Sequence, residues 1–213
     1  MGSALLCRDQ ILAAFAFDSL PPDWVVRSLS QAPWVVVRRA PWRANRIPVG
    51  IRGGARTQRA AAWLDPRHVE RRLAPWELRG RASALEASRL ALPAMQALAA
   101  VEQAWSDWPD LCWGPGGSVG FELATGLASV GNGSDLDLVV RLARAISRSE
   151  ARALWKRLPH PGQARIDVQL QTPAGAVALS EYAMGAGPML LRSARGVRLT
   201  RDPWAETPWA EVA

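Results

Sequence analysis

Hydrophobic and polar positions alternate most clearly in the second half of the chain. Residues 135–140 read Asp-Leu-Asp-Leu-Val-Val. Successive strand side chains point to opposite faces, so Asp135 and Asp137 share one face and Leu136 and Leu138 the other. Residues 164–170 repeat the pattern, with Ile166, Val168 and Leu170 on one side and Arg165, Asp167 and Gln169 on the other. A turn over 171–175 predicts an antiparallel return strand at 176–179, running into Glu181 and Tyr182. Short strands at 189–192 and 197–199 close this half, and an irregular tail follows. Upstream, Gly114-Pro115-Gly116-Gly117-Ser118 reads as a glycine turn. A helix over 119–127 is predicted after it, with Phe121, Leu123 and Ala124 partly inside and Gly126 and Gly131 as breakers. A second helix is predicted over 149–158, with Ser149 as its N-cap and Leu154 and Leu158 on the buried side.

The first half is dense in Trp, Pro and Arg. Val35-Val36-Val37 predicts a strand, approached by a loop ending at 23–26. Residues 47–59 read as a strand broken at Gly53-Gly54 and surrounded by Arg52, Arg56 and Arg59. Asp65-Pro66 is a helix-start signal, and a short helix is expected over 63–73. From 81 to 105, Leu85, Leu92, Met95, Leu98 and Ala99 recur at helical intervals, while Pro93 predicts a kink or two helices. The shift from aromatic-rich to alanine-rich sequence places a boundary near residue 80. The expected fold is α+β, with a small mixed sheet and flanking helices in 81–213 and a smaller α/β domain in 1–80.

Composition adds bounds. A chain of 213 residues, 49% apolar and 21% charged, can bury one large core or two small ones. The net charge of +7 suggests an anionic partner: a nucleotide, a nucleic acid or an acidic protein. Arginine supplies all of the basic residues except Lys156, and coding bias in an alanine-rich chain produces the same excess. The clustering of arginines is therefore more informative than their number. Cys7, Cys112, His68 and His160 lack zinc spacing, and the lone thiols fit a reducing compartment. Arg8 and Asp9 interrupt the N-terminal apolar run, so neither a signal peptide nor a membrane helix is expected there. A soluble, cytoplasmic protein without membrane contact is expected. His68 and His160 read as surface residues and Glu122 as either structural or a support behind the site residues; the tryptophans read as packing, with one available to stack on an adenine.

Two carboxylates side by side resist joint ionisation unless a cation lies between them. Asp167 becomes a third if its strand neighbours that of Asp135 and Asp137. Such oxygen donors suit Mg²⁺, and a pair of ions about 3.5–4 Å apart suits phosphoryl transfer. A helix beginning just after Ser118 would aim its N–H groups and positive dipole end at the glycine turn, forming an anion site. Arg52, Arg56 and Arg59 match phosphate oxygens as guanidinium forks; the competing reading is a solvated turn.

The ordered set of Gly117-Ser118, a helix, Asp135-Leu136-Asp137-Leu138-Val139-Val140 and Ile166-Asp167-Val168 resembles the DNA polymerase β-like nucleotidyltransferase superfamily. The resemblance implies that Gly117 and Ser118 bind a triphosphate and that Asp135 and Asp137 ligate both metal ions. Asp167 would ligate one of them and help deprotonate the attacking hydroxyl. The interval from Ser118 to Asp135 is longer than that superfamily's usual one, which predicts a loop near the site around Thr125-Gly126-Leu127. With Pro48-Val49-Gly50-Ile51-Arg52-Gly53, Arg56, Gln58 and Arg59, the run from Trp113 to Gly126, and Asp202-Pro203-Trp204 included, nearly the whole chain is similar to the phosphoribosyl-dephospho-CoA transferases of malonate decarboxylase. That resemblance implies 2′-(5″-triphosphoribosyl)-3′-dephospho-CoA as substrate and a serine of the apo acyl-carrier subunit as acceptor, with pyrophosphate released. It also moves the arginine cluster toward substrate or carrier contact. Two alternatives stay open. One is a nucleotidyltransferase acting on a citrate-lyase-type carrier, a small molecule or an RNA end. The other is a non-catalytic nucleic-acid-binding module, against which three retained carboxylates argue, since they repel phosphate.

Overall fold

The computed structural model describes residues 4–6 (backbone), 12–55, 57–159, 162 and 164–205. Arg56, Cys7, His160 and the end of the expected tail lie outside the described residues. The chain builds two six-stranded sheets, one from each half.

The first sheet contains β1 (Ala4–Leu6), β2 (Phe15–Ala16), β3 (Trp34–Val37), β4 (Ile47–Arg52), β5 (Arg59–Leu64) and β6 (Arg71–Leu73). Its order is β2-β5-β4-β3-β1-β6, antiparallel throughout. Helix α1 (Asp23–Gln31) packs on it through Val25 and Leu29, four residues apart on one helical face. The sequence reading placed a loop at 23–26. The extended Pro22 instead caps a helix, and Trp24 and two valines are accommodated because burial outweighs their weak helix propensity. The segment read as one broken strand is a hairpin, with β4 and β5 paired from Ile47↔Leu64 to Arg52↔Arg59. The helix expected over 63–73 contracts to a single 3-10 turn, Pro66–His68. Asp65 caps that turn by accepting from the Arg67 N–H at 3.0 Å. The flanking residues join β5 and β6, whose partner strands capture them.

The region from 81 to 105 divides as Pro93 predicts. Helix α2 (Ala87–Leu90) ends before it and α3 (Pro93–Ala104) starts on it, the missing proline N–H being harmless at a first helical position. Met95 and Leu98 are buried, whereas Ala99 faces out.

The second sheet has the order β12-β11-β10-β9-β8-β7. Its strands are β7 (Trp113–Pro115), β8 (Leu136–Arg141), β9 (Ile166–Thr172), β10 (Gly175–Ala178), β11 (Met189–Ser193) and β12 (Gly196–Thr200). It is mixed: β8 and β9 run parallel and the other neighbours antiparallel. Parallel neighbours need a crossover, and α5 (Arg148–Lys156) supplies it. The cap of α5 is Ser147, not Ser149. The Ser147 Oγ accepts from the Glu150 N–H, and the Glu150 carboxylate accepts from the Ser147 N–H. That reciprocal capping box needs a Glu three residues on, which Ser149 lacks. Helix α6 (Leu179–Met184) follows β10 directly. Leu136, Leu138, Val168 and Leu170 point into the main core, where Trp105 and Trp113 meet edge to face at 5.0 Å. The opposite face of β8 and β9 carries the polar residues.

Candidate active site

Helix α4 (Gly117–Thr125) begins two residues earlier than expected, so Ser118 lies within its first turn rather than before it. Its first intrahelical bond runs from the Gly120 N–H to the Gly116 carbonyl at 2.6 Å. The N–H groups of Gly117, Ser118 and Val119 precede that bond and form the positive end of the helix. The Gly116 N–H donates to the Asp137 carbonyl at 2.8 Å, tying the turn to β8. Gly117 has a φ of +54°, and a Cβ there would lie 1.9 Å from the Asp137 Oδ2. Only glycine admits both that backbone and that carboxylate. This glycine therefore seats Asp137 as well as opening the helix.

Asp137 pairs in register with Asp167 across the parallel β8–β9 ladder. Asp135 precedes β8 by one residue, on the Asp137 side. The structure thus brings the three carboxylates to one end of the strand pair. Burial, then the charges of Asp167 and Asp135, raise the pKa of Asp137; Arg52 and Arg165 oppose this incompletely. Asp167 is drawn aside, its Oδ1 accepting from Arg165 Nη2 at 2.7 Å. Among the described residues no three His, Cys, Asp or Glu side chains stand close enough together, as placed, to hold a metal ion. The donor chemistry nevertheless fits a hard divalent cation: every candidate ligand is a carboxylate oxygen, and the central one is half-buried and repelled by two like charges.

Arg52 forms the opposite wall. Its Nη1 donates to the Gly117 carbonyl at 2.6 Å, and its guanidinium lies 5.4 Å from the centre of the Phe121 ring. The Ser28 hydroxyl donates to the Arg52 carbonyl. Burial, then the neighbouring charge of Arg59, push the Arg52 pKa down to about 10, with Asp137 acting in the other direction. Arg52 therefore stays charged at neutral pH.

A cleft of about 660 Å³ joins these parts. Arg52, Arg59, Ser118, Asp135 and Asp137 all line it, whereas Gly117 and Asp167 do not. The loop between α4 and β8 forms one side through Leu127, Ser129 and Ser134, in keeping with the long spacer. Sequence reasoning missed Ser28 and Gln31 on this wall, because it did not see α1. His68 lines neither this cleft nor the other large one.

Glu122 holds the loop. It is 1% exposed and accepts from Arg89 Nε and Nη2, each at 2.8 Å, and from the N–H groups of Ser129 and Val130 at 2.7 and 2.8 Å. Arg89 also donates to the Val130 carbonyl at 2.7 Å. Burial disfavours the Glu122 anion, but these donors outweigh it and hold the carboxyl below its ordinary range. The Ser129 hydroxyl in turn donates to the Ser118 carbonyl at 2.8 Å. Glu122 was legible as structural, being the one acid in an apolar helix; its arginine partner, 33 residues away, was not.

Comparison with known proteins agrees over both halves. Residues 6–75 match the model of the phosphoribosyl-dephospho-CoA transferase MdcG N-terminal domain, and residues 77–203 that of its C-terminal domain. A phosphoribosyl-dephospho-CoA transferase of Azotobacter vinelandii is 41% identical over 195 residues, covering 89% of this chain and 88% of that one. One from Pseudomonas putida is 44% identical over 184 residues, 86% of each chain. Another, from Pseudomonas syringae pv. tomato, is 43% identical over 204 residues and 91% of each. No solved structure matches the chain.

Proposed function

The chain belongs to the MdcG family of phosphoribosyl-dephospho-CoA transferases, and from that premise we propose a metal-dependent nucleotidyl-transfer reaction in the cleft between Arg52 and Asp137. The substrate is 2′-(5″-triphosphoribosyl)-3′-dephospho-CoA and the acceptor is a serine of the apo acyl-carrier subunit of malonate decarboxylase. The observation that carries the reading is the in-register pairing of Asp137 with Asp167, beside Asp135 and over Gly117.

Asp135, Asp137 and Asp167 would hold Mg²⁺, as one ion or two, and the bound metal supplies neutralisation of charge on the reacting phosphoryl oxygens. The first-turn N–H groups at Gly117 and Ser118 receive the triphosphate, as at other helix N-termini. Arg52 and Arg59 meet the same oxygens from the first sheet; Arg56 joins them on sequence grounds alone. The acceptor hydroxyl oxygen attacks the α-phosphorus, forming the serine O–P bond as the bond from the α-phosphorus to the bridging oxygen breaks. Pyrophosphate leaves with the bonding pair, and Asp167 receives the hydroxyl proton. A basic surface suits both a polyphosphate and an acidic carrier. Among the described residues no helix is long and apolar enough to cross a membrane. A cytoplasmic setting fits this carrier chemistry.

Intact-mass measurement of the apo-carrier after incubation with protein, Mg²⁺ and precursor tests the proposal. A mass gain of one phosphoribosyl-dephospho-CoA is expected, and none would refute it.

A further inference from the structure

A second cleft, of about 430 Å³, opens between the two sheets at the far end of the same strands. Arg38, Arg39, Arg141 and Arg192 line it, and its lining includes no carboxylate. Among the described residues that line it, arginines are present without a carboxylate, and the charges of Arg39 and Arg192 oppose each other. Burial and then the charge of Arg192 lower the pKa of Arg39. The donor Arg38 Nη1 and the acceptor Gln171 Oε1 are buried here without a hydrogen-bond partner, and an anion could satisfy only the first. A buried donor left without a partner costs roughly 1–3 kcal/mol and calls for an explanation. Arg39 is fixed by donating to Gln169 Oε1 at 2.9 Å, and Arg141 lies 5.3 Å from the centre of the Trp76 ring. Trp42, 57% exposed, stands at the rim.

The two clefts lie along one seam. On β8 the face away from the main core runs from Asp137 through Val139 to Arg141, on β9 from Asp167 to Gln171, and on β4 the side that bears Arg52 runs through Gly50 back to Pro48. Each pair is four residues apart, about 13 Å of extended strand. Acids and the helix N-terminus mark one end; unneutralised arginines mark the other. A ligand with two separate phosphoryl groups fits that spacing, one group at each end.

We propose that the arginine cleft is a second phosphoryl-binding site, which takes the diphosphate of the dephospho-CoA portion of the substrate while the triphosphate lies at Asp137. This rests on the family assignment for the identity of the ligand, though not for the existence of the site. Dephospho-CoA carries that diphosphate and lacks the triphosphate, so it probes this cleft alone; inorganic triphosphate with Mg²⁺ probes the other.

Isothermal titration of the full chain separates them. Arg38→Gln and Arg192→Gln should each weaken dephospho-CoA at least about tenfold and leave triphosphate within about twofold. Asp137→Asn should do the reverse. Arg38→Lys and Arg192→Lys keep the charge and should recover most of the affinity for dephospho-CoA. Thermal unfolding of each variant confirms that it is folded. Unchanged dephospho-CoA binding in both folded Gln variants overturns the proposal, as does equal weakening of both probes. Failure of the functional reading looks different: the carrier gains no mass, while dephospho-CoA binding still depends on Arg38 and Arg192.

Discussion

The two ends of the β8–β9 strand pair present opposite chemistry on one face. At the amino end Asp135, Asp137 and Asp167 share one face, and at the carboxyl end Arg141 and Gln171 share a cleft with Arg38 and Arg39, which follow β3. Both ends hold like charges that a ligand of the opposite sign would relieve. They differ in how they are supported. The acid end is built by close backbone approach, Gly117 beneath Asp137, and by a loop tied to the buried Glu122 and its partner Arg89. The arginine end rests on long side chains, one fixed by Gln169 and one stacked on Trp76. The acid end should therefore tolerate little change, and the arginine end more.

The largest effect is expected from Asp137→Asn. Transfer should fall about 10³-fold or more, in line with the loss of an interaction that stabilises transition-state charge. The melting temperature of the metal-free variant should nevertheless rise, because a half-buried, repelled carboxylate has been neutralised. The sign follows from linkage. Asp137 has a raised pKa when folded, so its penalty is absent below the unfolded value of about 3.9 and fully present above the folded value. The melting-temperature gap between variant and wild type should open as pH rises through that window. A gap independent of pH would place the effect elsewhere.

Gly117→Ala comes next. The added Cβ meets the Asp137 carboxylate and imposes strain at a positive φ. Transfer should drop about 10²-fold with the fold retained, a comparison made by circular dichroism beside turnover. Glu122→Ala should cost about 1–3 kcal/mol of stability by removing the acceptor shared by Arg89 and the Ser129 and Val130 N–H groups, as measured by urea unfolding. Arg165→Gln should have the smallest effect on stability, within about 1 kcal/mol, because its pair with Asp167 is largely exposed. In the same variant the divalent-ion requirement for transfer should fall, since a cation competing for Asp167 is removed. A raised requirement would mean that Arg165 orients Asp167 rather than competing for it.

The acid end was more legible in the sequence than the arginine end, for a physical reason. Strand alternation is a local property, so the sharing of a face by Asp135 and Asp137, and the sidedness of Asp167, follow from spacing alone. The pairing of β8 with β9 was conditional until α5 proved to be the crossover between them. The arginine cleft draws Arg38, Arg141, Gln171 and Arg192 from four strand ends, and no local pattern brings such residues together. Helix α1 was missed because its burial against β4 offsets a poor local propensity. The cap of α5 was misplaced by two residues because two serines compete and Glu150 decides between them. Arg56 belongs to the expected cluster on sequence grounds and lies outside the described residues.

The most direct test sets wild type beside Asp137→Asn, each incubated with Mg²⁺, 2′-(5″-triphosphoribosyl)-3′-dephospho-CoA and the apo-carrier of malonate decarboxylase, and weighs the carrier over time. Wild type should convert the carrier to a species heavier by one phosphoribosyl-dephospho-CoA, while the folded variant leaves it unchanged over the same period. Equal conversion by both proteins would contradict the account.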